Sequence, residues 1–147
     1  MPKIDIIAAG RMRDKNQIGM VGEFSKRLHW PLNIIEIPDK NPADINDRIL
    51  DKLDNQAYVI ALDETGKAYS SRSFAKKIDT LLHQDGYSTL QFIIGAADGL
   101  NDSVRSNSNI CISFGKQTWP HMLARIMLVE QIYRAQQILA GHPYHRD

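Results

Sequence analysis

The 147-residue sequence predicts an α/β fold: a parallel sheet of five to six strands with helices on both faces. Three observations carry this expectation. Apolar runs of strand length alternate with segments of helical periodicity five times along the chain. One run, Tyr58-Val-Ile-Ala-Leu62, has no polar face, as befits a parallel strand covered on both sides. Glycines follow the last three apolar runs, and ligands of open parallel sheets sit beyond those strand ends.

The elements follow in order. Lys3 to Ala9 alternates and then runs apolar until Gly10, as a strand does. Ile18, Val21, Phe24 and Leu28 recur at helical spacing until Trp30-Pro31, because the residue before a proline avoids the helical region. Leu32 to Ile37 reads as the second strand, closed by Pro38. Asn41 is placed to cap, and Pro42 to start, a helix whose Ile45, Ile49, Leu50 and Leu53 share one face. The third strand, Tyr58 to Leu62, precedes a helix capped by Ser70 or Ser71, running through Phe74, Ile78, Leu81 and Leu82 and stopped by Asp85-Gly86. Leu90 to Ile94 is the fourth strand. A short polar helix, roughly Asn101 to Ser106, leads to the fifth strand at Ile110 to Phe114.

Gly115 then turns the chain, Pro120 suits a first helical turn, and His121 to Ala140 continues without another Gly or Pro. Met122, Leu123, Ile126, Met127, Val129, Ile132 and Tyr133 cover more than the roughly 100° stripe that faces one core. A second burial partner is implied, and a homodimer seam over Met122 to Tyr133 would supply it. Glu130, Arg134 and Gln137 form a narrow polar face. Arg125 lies some 140° away from Glu130 at about 100° per residue, among apolar neighbours, so its guanidinium requires a carboxylate, phosphate or backbone partner. An interface salt bridge is the plainer of these readings. The ending, His142-Pro-Tyr-His-Arg-Asp147, is too aromatic for a solvated tail and reads as docked. Its two histidines lack a second pair at ligand spacing, and Cys111 sits in an apolar strand, so no metal site is expected.

Composition narrows the classes. With 43% hydrophobic and 24% charged residues, residues 1–147 read as one globular domain. No apolar run approaches the roughly 18 residues of a membrane span, no signal-peptide layout is present, and one cysteine cannot form an internal disulfide, which together point to the cytosol. A net charge of +1 argues against nucleic-acid binding by bulk electrostatics. It leaves room for a local patch, for which Arg11, Arg13 and Lys15 are candidates; a solvated loop is the default reading of those residues.

The segments after strands three, four and five are Asp63-Glu-Thr-Gly66-Lys67, Gly95-Ala-Ala-Asp-Gly99 and Gly115-Lys-Gln-Thr118. Their coincidence on one sheet edge favours a small-molecule site, since glycines let backbone groups approach a flat ligand. The first strand lacks a dinucleotide fingerprint, and neither GxxxxGK[ST] nor GxSxG occurs.

Four places give the chain a family likeness: Ala61-Leu62-Asp63 with Gly66-Lys67; Ile94-Gly95 with Asp98-Gly99-Leu100; Thr118-Trp-Pro-His121 with Arg125 and Glu130-Gln-Ile-Tyr-Arg134-Ala135; and His142-Pro-Tyr-His-Arg146. End to end, the sequence resembles the ribosomal RNA large-subunit methyltransferase H family, small members of the SPOUT superfamily of knotted methyltransferases. The resemblance implies a C-terminal trefoil knot, a homodimer, and S-adenosylmethionine as cofactor. It also implies methylation of N3 of a pseudouridine in large-subunit ribosomal RNA on the assembled ribosome. By position it assigns cofactor contacts to Leu62, Gly95, Phe114, Gly115, Lys116, Gln117, Thr118 and Trp119. Ala96-Ala97 departs from the second glycine and small residue that the family usually has there. On this reading His145, helped or replaced by Tyr144, takes the imide proton, and Arg146 or Arg125 holds the phosphate or the developing anion.

Two rival readings share the five strand–helix units. A flavodoxin-like or receiver-like binding module without catalysis fits the topology, but a receiver wants acids after strand one, where Gly10-Arg11-Met12-Arg13 stands, and a flavin module gives no reason for the tail. A non-catalytic ribosome-associated protein would not need three glycine loops.

Overall fold

The computed structural model describes residues 2–147. Five strands, β1 (Lys3–Ala9), β2 (Leu32–Ile37), β3 (Tyr58–Ala68), β4 (Thr89–Ile94) and β5 (Ile110–Ser113), form one sheet in the order β2-β1-β4-β3-β5. Every pairing is parallel. The helices are α1 (Lys15–Ser25), α2 (Ile45–Asp51), α3 (Ser71–Asp79), α4 (Asp102–Ser106) and α5 (His121–Leu139).

Strand alternation divides the core into two layers. Ile4, Ile6 and Ala8 of β1, Ile60 of β3 and Leu90, Phe92 and Ile94 of β4 pack with α1, α3 and α5 residues such as Val21, Phe74, Ile78, Leu128 and Ile132. Ile7, Ala9, Val59, Ala61 and Ile93 point the other way, onto Ile45 and Ile49 of α2 and Val104 of α4. Each fully buried side chain of this size contributes about 1.5–3 kcal/mol by leaving water, so the double-sided strands hold the molecule together.

Three local readings are corrected. The third strand does not stop at Leu62. It bulges and resumes, with Ile112 of β5 pairing with both Leu62 and Lys67. Gly66 permits this: a Cβ there would lie 2.6 Å from the Cys111 carbonyl carbon, so only glycine lets the bulge close onto β5. Asn41 makes no capping bond to the backbone. The chain takes a 3-10 turn at Pro42–Asp44 first, and the Asn41 amide donates to the Asp44 carboxylate. The helix after Ser70 is α-helical only to Asp79, then widens into a π turn at Thr80–Gln84 before Gly86 (φ 77°) ends it.

The expected seam is corrected as well. Helix α5 lies between α1 and α3, and Ile126, Val129, Ile132 and Tyr133 are buried by their own chain. What remains outward is a narrower stripe, Leu123, Met127, Glu130 and Arg134, of which Leu123 is 43% exposed.

Candidate functional site

The C-terminal ends of β3, β4 and β5 open onto a cavity of about 730 Å³. Its walls combine Leu62, Ile94, Leu100, Ile112, Phe114 and Ala124 with the Gly95–Gly99 turn, Gly115 and the segment from Gln117 to His121. Of the sequence-predicted cofactor residues it gathers Leu62, Gly95, Phe114, Gly115, Gln117, Thr118 and Trp119. Lys116 is exposed and does not line it. Gly99 (φ 76°) and Gly115 (φ 113°) hold left-handed backbone that an L side chain rarely adopts. Gly95 serves a different end: a Cβ there would lie 2.8 Å from Leu100 Cδ2 and 3.1 Å from the Gly99 carbonyl carbon, so its bareness lets the turn fold onto itself.

Polar groups brace the rim. Thr118 Oγ1 donates to Glu64 Oε2 at 3.0 Å, tying the β3 bulge to the segment before α5, and the Trp119 indole donates to the Phe114 carbonyl at 3.3 Å. Arg105 donates to the Leu100 carbonyl and to Asp102, and its guanidinium stands 4.0 Å from the Asp63 carboxylate. Neither Glu64 nor Arg105 stood out in the sequence, because each acts through a partner far along the chain or inside a short, nondescript helix.

Arg125 is not at this site. It is 2% exposed, donates to Glu36 Oε2 at 2.6 Å, and donates to the carbonyls of Gly10 (2.9 Å) and Ala9 (3.3 Å). The role in holding substrate is therefore corrected: both terminal nitrogens of the guanidinium are held inside its own chain, which also removes the interface reading, while the buried Nε has no hydrogen-bond partner among the described residues. Partial burial alone would raise the Glu36 carboxyl, but the Met12 N–H and the Arg125 guanidinium outweigh it and hold Glu36 below the usual carboxylate range.

The tail docks, as its composition predicts, but onto the far half of α5. Tyr144 packs edge-on against Tyr133 with centroids 4.9 Å apart, and its hydroxyl donates to Glu130 Oε1 at 3.1 Å. Burial, reinforced by the Glu130 carboxylate, raises the phenol above its ordinary value, which makes Tyr144 a poor base. Arg134 pairs with Glu130 at 2.7 Å, lies 4.8 Å from the centre of the Tyr144 ring, and meets His145 Nδ1 at 3.1 Å. A guanidinium only donates, so Nδ1 accepts and Nε2 carries the N–H that reaches Asp147 at 3.0 Å. Asp147 is held in turn by Arg72 at 2.7 Å. Both ring nitrogens of His145 are thus occupied. Arg146 is exposed, and among the described residues no hydrogen bond or ion pair engages it.

Within one chain the two halves of the predicted site stay apart. Ala124 of α5 lines the cavity and Glu130 receives the tail's Tyr144, and at about 1.5 Å per residue roughly 9 Å of α5 lies between them. A second hollow of about 510 Å³, lined by Met20, Phe24, Tyr69, Phe74, Met127 and Glu130 among others, lies along α5 between the two halves. Among the described residues no helix is long and apolar enough to cross a membrane, and no group of three His, Cys, Asp or Glu side chains gathers as a metal centre needs.

A family model described as predicted SPOUT methyltransferase matches residues 2–145. The chain belongs to the SPOUT methyltransferase family. A ribosomal RNA large subunit methyltransferase H from Caulobacter sp. (strain K31) is 49% identical, and one from Zymomonas mobilis is 43% identical; each match covers 99% of both chains. Among solved structures, a probable methylase family protein from Haemophilus influenzae superimposes with a TM-score of 0.60 at 10% identity, over 99% of this chain and 71% of that one. The SpoU methyltransferase AviRb from Streptomyces viridochromogenes, solved in complex with the cofactor AdoMet, gives 0.51 at 14% identity over 92% and 58%. At such identities the structural likeness speaks for the SPOUT fold alone.

Proposed function

We propose that the protein transfers a methyl group from S-adenosylmethionine to N3 of a pseudouridine in large-subunit ribosomal RNA, on the assembled ribosome and hence in the cytoplasm. The observation that carries this is the cavity at the β3, β4 and β5 ends, which collects the predicted cofactor residues, Lys116 excepted, in a chain 49% identical to a ribosomal RNA methyltransferase.

The residues present fit such a cofactor. Leu62, Ile94, Leu100 and Phe114 offer apolar walls for a flat base, the 95–99 and 115–119 backbones offer N–H and carbonyl groups, and Asp63 and Glu64 bring negative charge to a ligand bearing a sulfonium cation. When bound, S-adenosylmethionine supplies an electrophilic methyl group. The chain's share is orientation and exclusion of water, the larger part of the gain in an in-line displacement. Glu64 and Thr118 clasp the bulge to the segment before α5, and the reading includes a trefoil knot threaded through that segment.

The tail's share is binding and alignment. Tyr144 and His145 hold the tail to α5, leaving Arg146 to meet phosphate or the anion left when the imide proton passes to water. Since the tail and the cavity of one chain lie apart, the active site is completed by a second copy, with Leu123, Met127 and the hollow beside Met20 and Tyr69 as the seam of a homodimer.

Calorimetry with S-adenosylmethionine, followed by methyl incorporation into ribosomes from cells lacking the enzyme, tests the reading. Saturable binding and one methyl group on the large-subunit RNA are expected. Binding without transfer to any ribosomal particle would overturn the substrate, and no binding would overturn the reaction.

A further inference from the structure

The loop between β1 and α1 is held more firmly than a solvated connection requires. Gly10 N–H donates to the Ile37 carbonyl at 2.8 Å, and Met12 N–H donates to Glu36 Oε2 at 2.7 Å. The same Glu36 oxygen receives Arg125 at 2.6 Å, whose other nitrogen holds the Ala9 and Gly10 carbonyls. Met12 itself is driven inward, 8% exposed, which turns its neighbours Arg11 and Arg13 out into solvent. Lys15 follows at the start of α1, also exposed.

Of the three acids nearby two are already used, and the third, Asp39, is exposed beside Gly10. Glu36 is taken by Arg125 and Met12, and Asp14 Oδ1 caps α1 by accepting from Asn16 and Gln17. Asp39 lies against Gly10, where a Cβ would be 3.0 Å from its Oδ2. Among the described residues no ion pair engages Arg11, Arg13 or Lys15. His121 stands 3.2 Å from that same Cβ position, and His121 lines the cavity. A pinned loop carrying unpaired cations therefore sits on the rim of the cavity, in a protein whose net charge of +1 provides no general attraction for polyanions.

We infer that this loop is a preorganised phosphate-binding arm, in which Arg11 and Arg13 grip the RNA backbone beside the target base while the ion pair of Glu36 with the buried Arg125 fixes the arm to α5. The inference rests on the ribosomal RNA reading and adds the surface that receives the RNA. Preorganisation matters here because a loop whose backbone is already fixed leaves only side-chain freedom to be lost on meeting phosphate.

The test is Arg11→Ala/Arg13→Ala in the full chain, with ribosomes from cells lacking the enzyme as substrate. KM for ribosomes should rise tenfold or more with kcat kept, and S-adenosylmethionine affinity by calorimetry should not move. The log–log salt dependence of kcat/KM should shallow by about two, roughly one for each phosphate that the variant no longer neutralises. Arg11→Lys/Arg13→Lys should keep the slope. Lys52→Ala/Lys76→Ala, which removes the same charge from other surfaces, should behave as wild type. An unchanged KM and slope in the double alanine variant would overturn the inference while leaving the enzyme's function standing. A wild-type enzyme that binds cofactor but leaves ribosomes unmethylated would overturn the functional reading and this arm with it.

Discussion

Arg125 sets the chemistry at the scale of single residues, because a guanidinium that is 2% exposed depends on partners inside the chain: Glu36 and two carbonyls take its terminal nitrogens, and Nε is left without one. Arg125→Ala should cost on the order of 3 kcal/mol, the low end for breaking a buried pair, since Glu36 still reaches water. Urea unfolding of the two proteins checks it. The pH dependence follows from Glu36, whose folded value lies below its unfolded value. Its stabilisation is full above the unfolded carboxylate value, about 4.3, and is lost as pH falls through the lower folded value. Glu36→Gln should therefore flatten the acid limb of stability against pH, and an acid limb identical to wild type would show that the pair contributes nothing. His145 makes a second residue-scale prediction. Both its ring nitrogens are engaged by Arg134 and Asp147, and the role proposed for it is alignment. His145→Ala should lose most activity at neutral pH and regain none as pH approaches the imide's own value; partial recovery would instead make it the base.

Elements place the cavity more than any side chain does. The Gly95–Gly99 turn closes on itself because Gly95 brings no Cβ against Leu100 and Gly99. Gly95→Val should leave the protein folded but lower S-adenosylmethionine affinity by at least about tenfold, roughly 1.4 kcal/mol, because the displaced turn is a wall of the cavity. Unchanged affinity by calorimetry would put the cofactor elsewhere. The bulge of β3 is the matching device on the other wall: Gly66 lets it lie against Cys111, and from there Glu64 reaches Thr118. Helix α5 links the parts, with His121 on the cavity, Arg125 on the β1 end and Arg134 on the tail.

For the whole molecule, the proposed function makes assembly of two copies part of the reaction, because tail and cavity of one chain lie apart. Removing residues 142–147 should abolish methyl transfer and leave cofactor affinity within about twofold, a change worth less than about 0.5 kcal/mol. Loss of both would mean that the tail supports the cavity directly. Light scattering of the full chain at micromolar concentration should give the mass of a dimer, and Met127→Glu, which puts a charge into the outward stripe of α5, should give a monomer that still binds cofactor. A monomeric wild type would end the account of a site shared between copies.

By itself the sequence determined the alternation of strands and helices, the parallel sheet, the glycine-edged site and the docked tail. These rest on local periodicity, turn chemistry and composition, which operate within a few residues. The strand order β2-β1-β4-β3-β5, the resumption of β3 beyond Leu62 and the partner of Arg125 were decided only by the tertiary structure. Each depends on groups distant in the chain. Gly66 has meaning only once β5 lies against it, and Arg125 could be read as an interface or substrate residue until Glu36 and the Gly10 carbonyl were found beneath it. The wide apolar surface of α5 misled for the same reason: periodicity counts how much of a helix avoids water, but whether its own chain or another covers it is settled by packing.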